Sequence, residues 1–241
     1  MTISPIPIHR PHFLIGLDLG QAQDYTGMVI VERNSRTPDQ YAEPLPAGPS
    51  TYAVRGIERL PLGTAYPAQV ARVHSVVKAL SEQRPKPTLV LIADFTGVGR
   101  PVADMLQDAG LDDLGCQLVL VTITGGDAVT RGAAHEYRVP KRDLASSVLV
   151  LLQSNRLKIA EALSLASVLT QELQGFRVKI SLTGHDSYAA GADWRSAPHD
   201  DLVLALAMAC WYGETVSGAG WDSMGYSGGD LIDFFREAGV G

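Results

Sequence analysis

The sequence predicts one α/β domain with a mixed β-sheet, in which an antiparallel meander precedes parallel strands and helices flank the sheet. Three strand-like runs, at 12–20, 26–32 and 52–60, come before any helical pattern. Two further apolar runs, at 88–94 and 117–122, are separated by helical patterns at βαβ spacing. The 241 residues, 46% hydrophobic and 19% charged, are enough for one well-buried core.

The first three strands form the meander. Residues 12–20 are almost uniformly apolar, as in a fully buried strand, and a polar break at 21–24 leads into the hairpin partner at 26–32. A proline-rich stretch at 37–50 follows. The alternating run at 52–60 then predicts a third strand at the edge of the sheet.

Helices begin after the meander. Apolar residues recur at helical spacing over 67–84, and Pro85 and Pro87 predict the end of this helix ahead of the strand at 88–94. A second helix is predicted over 100–108.

The second half of the chain reads as a loop followed by helices. Residues 123–140 are polar and contain glycine, which predicts a long loop. Helical patterns follow at 142–152, 159–173 and 200–212, with a strand-like run at 177–181.

These patterns predict three regions. Residues 1–11 are an N-terminal extension, 12–215 the folded domain, and 216–241 a glycine-rich tail in which 230–238 docks as a short helix.

Composition excludes several classes of protein. The net charge of −6 argues against a protein that coats nucleic acid by charge alone. Cys116 and Cys210 lie in apolar runs without metal-binding spacing, so we expect buried thiols in a reducing cytoplasm. No signal peptide and no membrane-spanning run is found.

Four aspartates carry the chemical signal. Asp18 and Asp94 end apolar strands, and Asp200 and Asp201 open the last helix. Each has an ordinary alternative role in a turn, a helix cap or the complement of a helix dipole. Three distant segments that each deliver an acid to one place instead predict a metal site, since clustered carboxylates repel without a cation.

Carboxylate oxygens select Mg²⁺ or Mn²⁺ over zinc. Two such ions about 4 Å apart would support hydrolysis of a phosphodiester in a nucleic-acid backbone. Adjacent helix residues point about 100° apart, so only one of the last two acids is a central ligand. We expect Asp201 to take this place and Asp200 to contact a second metal or its water. The predicted catalytic residues are therefore Asp18, Asp94 and Asp201.

Several segments together resemble the C-terminal nuclease domain of bacteriophage terminase large subunits, within the ribonuclease H-like superfamily. They are GLDLG at 16–20 with DYTG at 24–27, DFTGVGRPV at 94–102, TITGG at 122–126, VPKRDL at 139–144, EL at 172–173, and HDDLV at 199–203 with ALA at 205–207. This resemblance implies a ribonuclease H-like sheet and a Mg²⁺- or Mn²⁺-dependent endonuclease. The implied substrate is double-stranded viral DNA, cut from concatemers during packaging in the cytoplasm of the bacterial host.

The chain departs from the terminase pattern in one respect, because it contains no GxxxxGK[ST] phosphate loop. We therefore do not expect this chain to pump DNA by itself. We expect an isolated nuclease domain, a split subunit or a prophage-derived protein, with a separate ATPase, a terminase small subunit and a portal as partners.

DNA contacts are expected from two groups of cations, although exposed surface is the ordinary role of such residues. The first group lies in the predicted loop and the start of the following helix, around 131–142. The second group precedes Asp200 and Asp201 in the sequence. The candidates are Arg131, Arg138, Lys141, Arg142 and Arg195, and His199 is expected to support the acids without binding the metal directly.

Two other classes stay open. The segment at 16–20 also looks like the phosphate-binding strand of the actin, sugar-kinase and heat-shock ATPase superfamily, although this chain has room for only one copy of that fold. A non-catalytic DNA-docking module is the third hypothesis. Other ribonuclease H-like nucleases, such as Holliday-junction resolvases and transposases, have chemistry similar to that of the preferred hypothesis, a terminase-like nuclease.

Overall fold

The computed structural model describes residues 11–20, 24–34, 49–133, 135–175 and 200–216. Within these ranges, eight strands form one sheet and five helices flank it. The strands are β1 (His12–Asp18), β2 (Thr26–Asn34), β3 (Thr51–Leu60), β4 (Thr88–Asp94), β5 (Cys116–Thr124), β6 (Thr130–Arg131), β7 (Glu136–Pro140) and β8 (Leu157–Ile159). The helices are α1 (Tyr66–Ser81), α2 (Arg100–Gln107), α3 (Lys141–Gln153), α4 (Ala166–Gly175) and α5 (Asp201–Thr215).

The sheet is mixed, as predicted. Its strand order is β6-β7-β5-β4-β1-β2-β3-β8. The first three strands form the antiparallel meander, and β4, β5 and β7 continue from β1 in parallel. Strand β2 runs antiparallel to both β1 and β3, and β4 runs parallel to β1. The last residues of β1, β3 and β4 therefore lie at one edge of the sheet, which we call the carboxyl edge.

Side-chain alternation divides the core into two layers. In β1, Leu14 packs on the face covered by α3, α4 and α5, whereas Ile15 and Leu17 pack on the face covered by α1 and α2. Proline in the first turn of α1 and of α2 suits a position whose N–H has no partner within the helix.

Helix α5 lies against the centre of the sheet and is buried from Asp201 to Gly213. A Cβ atom at Gly16 would lie 1.8 Å from the carbonyl oxygen of Ala205, so the helix rests directly on the backbone of β1. Gly213 lies over Leu14, and Asp201 over Gly27 at the end where β1 finishes. The helix therefore runs antiparallel to β1, and its N-terminus lies at the carboxyl edge.

Three sequence predictions about this architecture are wrong. The predicted loop at 123–140 contains β6 and β7, because Tyr137 and Val139 are buried while Glu136 and Arg138 alternate outward over only five residues. The predicted helix at 159–173 begins as β8 and a turn, with α4 starting at Ala166. Strand β3 is not an edge strand, since β8 pairs with its first residues.

The predicted strand at 177–181, the short helix at 230–238 and residues 1–10 lie outside the described residues, and the predicted domain limits stay predictions. Among the described helices, none combines the length and the apolar character needed to cross a membrane.

A candidate metal centre at the carboxyl edge

Asp18 and Asp94 end two adjacent strands. Leu17 of β1 pairs with Ala93 of β4 in parallel register, so the two aspartates follow side by side on strands about 4.8 Å apart. Alternation places both side chains on the face that α5 covers. Two carboxylates from distant parts of the chain are therefore neighbours.

The N-terminus of α5 brings two further acids to this edge. Gly27 of β2 pairs with Asp18, and a Cβ atom at Gly27 would lie 2.7 Å from the carbonyl oxygen of Asp201. Because Gly27 has no side chain, the start of α5 packs directly on the backbone of β2. Asp200 is the N-cap of α5, and Asp201 is its first residue.

The electrostatics show that these acids crowd one another. Burial raises the pKa of Asp18 well above its ordinary value, and the negative charges of Asp94, Asp200 and Asp201 raise it further. Burial also raises the pKa of Asp94, against the opposing effects of a 2.7 Å hydrogen bond from the Thr96 amide and the charge of Lys141. Negative charge at this edge is unfavourable without a compensating cation.

Lys141 supplies part of that compensation. Its Nζ, at the start of α3, lies 3.0 Å from Oδ2 of Asp200. Asp200 raises the pKa of Asp94, and Lys141 lowers it, so all three groups belong to one electrostatic cluster. The predicted DNA contact at Lys141 stays a prediction, and the structure adds a carboxylate partner.

The carboxylate of Asp201 accepts hydrogen bonds from Arg59. Nε of Arg59, at the end of β3, donates to its Oδ2 at 2.8 Å, and Nη2 donates to Oδ1 at 3.2 Å. The guanidinium also contacts Glu172 of α4. Burial raises the pKa of Glu172 to about 7, although hydrogen bonds from the amides of Val203 and Leu202 oppose the shift.

The donor set at this edge fits a divalent ion of the magnesium type. Asp18, Asp94 and Asp200 offer only carboxylate oxygens. Asp94 and Asp200 raise the pKa of Asp18, and Asp200 raises that of Asp94, whereas a bound cation would lower both. Within the described ranges, no three His, Cys, Asp or Glu side chains lie close enough to hold a metal as they stand. Binding would therefore draw together carboxylates that repel one another.

Replacing Lys141 with Met is expected to raise the pKa of Asp94, because the ammonium group that lowers it is lost. Carbon-detected NMR titration of the aspartate carboxyl groups in metal-free protein measures this shift. Lys158→Met is the matched control, since Lys158 pairs with Asn155 on the exposed end of β8. An unchanged Asp94 titration in Lys141→Met would remove Lys141 from the cluster.

The other predicted DNA-binding residues are dispersed. Arg142 follows Lys141 and pairs with Asp127 at 2.8 Å. Arg131 lies over the ring of Tyr137, which packs against Trp211, about 15 Å along α5 from Asp201.

Arg138 lies on the other face of the sheet, beside Glu136, which pairs with Arg100 of α2. Arg195 and His199 lie outside the described residues. Of the described residues in the predicted DNA-binding set, Lys141 is the one that contacts one of the four acids, and Arg142 follows it in α3.

Sequence reasoning missed Arg59 and Glu172. A signal for Arg59 was present, because a meander places the end of its third strand at the same edge as the end of the first. Ile57 and Arg59 then share the face that α5 covers. Glu172 belongs to the EL segment of the terminase resemblance, which gave it no role, since that role depends on how α4 packs against α5.

No family model matches the sequence, and no protein with curated function matches it. Several solved structures do match this chain. The large terminase nuclease from thermophilic phage G20c is 23% identical, with 85% of this chain and 82% of that chain covered and a TM-score of 0.49. Thermus thermophilus RuvC is 12% identical, with coverages of 86% and 97% and a TM-score of 0.41.

The human cytomegalovirus terminase nuclease domain, in a crystal soaked with manganese, matches with a TM-score of 0.51 over 87% of each chain. The chain has the ribonuclease H-like fold. The resemblance to terminase nuclease domains is thus confirmed for the fold. At 13% identity, the likeness shows the fold of this ribonuclease H-like domain and not its chemistry.

Proposed function

We propose that this ribonuclease H-like domain is a divalent-metal-dependent endonuclease that hydrolyses phosphodiester bonds in DNA. The observation that carries the proposal is the meeting of carboxylates from β1, β4 and the start of α5 at one edge of the sheet. In open α/β sheets, this edge is where sites form.

Asp18, Asp94 and Asp200 are the proposed metal ligands. Asp94 and Asp200 both raise the pKa of Asp18, and Asp200 also raises that of Asp94. Asp201, which the sequence favoured over Asp200, has both carboxylate oxygens on Arg59. The contacts therefore favour Asp200 as the third ligand. Mg²⁺ or Mn²⁺ is the proposed cofactor, in agreement with the oxygen-only donor set.

Two bound ions would supply a water of lowered pKa and would stabilise the leaving oxygen of an in-line displacement. The chain's own groups hold and orient the substrate. Lys141, which pairs with Asp200, and Arg142 are the first two residues of α3 and are proposed to contact the phosphates of DNA without reading its sequence.

The proposed biological setting is terminase-like cleavage of concatemeric double-stranded DNA during viral packaging, in the bacterial cytoplasm, by a phage or prophage protein. The ordered motifs from 16–20 to 205–207 support it, together with the ribonuclease H-like fold. A separate ATPase chain, a small subunit and a portal would be the partners.

Incubation of the protein with supercoiled plasmid, with Mn²⁺, Mg²⁺ or EDTA and no ATP, tests the proposal. We expect nicking and linearisation with metal and none with EDTA, and Asp94→Asn is expected to be inactive. Asp104→Asn is the matched control, because Asp104 is an exposed partner of Arg100 on α2.

Cleavage by Asp94→Asn, or cleavage in EDTA, would contradict the proposed site. DNA binding without cleavage would favour the docking module. ATP turnover by the pure chain would favour the actin-like ATPase class.

A further inference from the structure

The N-terminus of α5 is capped by a side chain from another helix. Oε2 of Glu172 accepts hydrogen bonds from the backbone N–H groups of Leu202 and Val203, each at 3.0 Å. The first N–H groups of a helix have no partner within the helix. The N-cap side chain of Asp200 makes no capping hydrogen bond, which leaves its carboxylate available to the edge.

Arg59 joins this cap to the first residue of the helix. Its guanidinium forks onto both carboxylate oxygens of Asp201 and also contacts Oε1 of Glu172. It lies 4.8 Å from the ring centroid of Tyr25, just before β2. We call Arg59 and Glu172 the α5 clamp.

Burying the charged side chains of the α5 clamp and of Asp201 costs free energy of desolvation. The side chains of Glu172 and Asp201 are 6% and 5% exposed, and that of Arg59 is 16% exposed. Buried ion pairs lose much of their attraction to desolvation, so they are poor devices for stability alone. A planar guanidinium on two carboxylates does, however, hold its partners in one geometry.

Gly27 shows what the clamp holds in place. It lies between Asp18 and Arg59 across three strands, and its Cβ position is 3.2 Å from Oδ2 of Asp201. Asp201 therefore lies over the bare backbone of β2. Asp200 directly precedes Asp201 as the N-cap of α5, so holding Asp201 on Arg59 fixes the backbone that carries Asp200.

We propose that Arg59 and Glu172 are positioning residues that hold Asp200 in the metal centre, and that Asp201 is their anchor in α5 and not a metal ligand. The inference rests on the proposed function for its metal. It assigns different roles to two adjacent aspartates and gives a function to Arg59 and Glu172, to which the sequence analysis assigned none.

The test combines Mn²⁺ binding by calorimetry with amide hydrogen exchange at Leu202 and Val203 in the metal-free protein. Arg59→Met is expected to weaken Mn²⁺ binding about tenfold or more, as for residues that orient metal ligands, and to speed exchange at both amides. Arg59→Lys keeps the charge but not the fork, so its loss should be smaller. Arg55→Met is the control, since Arg55 pairs with Glu32 on the exposed part of β3.

Asp200→Asn and Asp201→Asn separate ligand from anchor. Asparagine at 201 keeps an oxygen that accepts from Arg59, so Asp201→Asn should bind Mn²⁺ more tightly than Asp200→Asn does. The reverse order would overturn the assignment. Unchanged Mn²⁺ affinity in Arg59→Lys and in Arg59→Met would overturn the positioning role, and if Arg59→Met does not fold, Arg59→Lys decides.

Failure of the proposed function gives a different result. Wild-type protein would then bind no Mn²⁺, and amide exchange would still report on the clamp. Exchange at Leu202 and Val203 that is the same in Glu172→Ala as in wild type would overturn the clamp itself.

Discussion

Replacing Asp18 with Asn is expected to abolish metal-dependent cleavage and to stabilise the metal-free protein at neutral pH. Asp18 is the acid whose pKa Asp94, Asp200 and Asp201 all raise, and the loss of several kcal/mol of metal-mediated stabilisation lowers a rate about a thousandfold or more. The same carboxylate is half-buried among like charges, so a neutral amide of the same shape relieves repulsion in the folded state. Plasmid cleavage and urea unfolding in EDTA measure the two effects.

The pH dependence has a definite sign. The folded pKa of Asp18 is raised, so the folded state binds its proton more tightly than the unfolded state does. Below the unfolded pKa, the group is protonated in both states and causes no loss. As the pH rises towards the folded pKa, the free energy of unfolding falls, and above that pKa the loss stays constant.

We therefore expect metal-free wild type to lose stability as the pH rises above about 4, and Asp18→Asn to lose less. Unfolding curves in EDTA at a series of pH values test this, with Asp104→Asn as the control for removal of an exposed carboxylate. Equal pH slopes in wild type and Asp18→Asn would contradict the crowding of acids at the edge. Added Mn²⁺ should stabilise wild type more than the variant, because ligands that bind the folded state raise its stability.

The sequence could locate Asp18 and Asp94 because their signal is local. Each ends a continuous apolar run, and parallel strand ends meet at one edge whatever the loops between them do. The roles of Asp200 and Asp201 could not be assigned in the same way. Both open the same helix, and what separates them is Arg59, which arrives from a strand more than a hundred residues upstream.

The elements that the sequence missed are short. Strand β8 has three residues and β7 has five, so neither shows enough of an alternating pattern to stand out from its polar surroundings. They pair because β3 and β5 offer free edges, which is a tertiary cause. The polar loop predicted at 123–140 was wrong for this reason, whereas the long buried strands were predicted correctly.

Replacing Gly16 with Ala is expected to cause a large loss of stability. The new Cβ would lie 1.8 Å from the carbonyl oxygen of Ala205, and a helix backbone cannot move aside as a flexible side chain can. Overpacking of a core typically costs 1–3 kcal/mol, and we expect about 3 kcal/mol or more here. Urea unfolding at constant pH measures the loss.

Gly126→Ala is the matched control, because its Cβ would meet only Oγ1 of Thr124, at an ordinary 3.6 Å. Gly213→Ala probes the other end of α5, where the new Cβ would meet side chains of Tyr52 and Leu14 at 2.6 and 2.8 Å. Gly16 lies between that end and the acids, so displacement of α5 there should weaken Mn²⁺ binding, whereas Gly213→Ala should lower stability with less effect on the metal. A Gly16→Ala protein as stable as Gly126→Ala would show that α5 does not rest on β1, and the edge would then lose the helix that brings it Asp200.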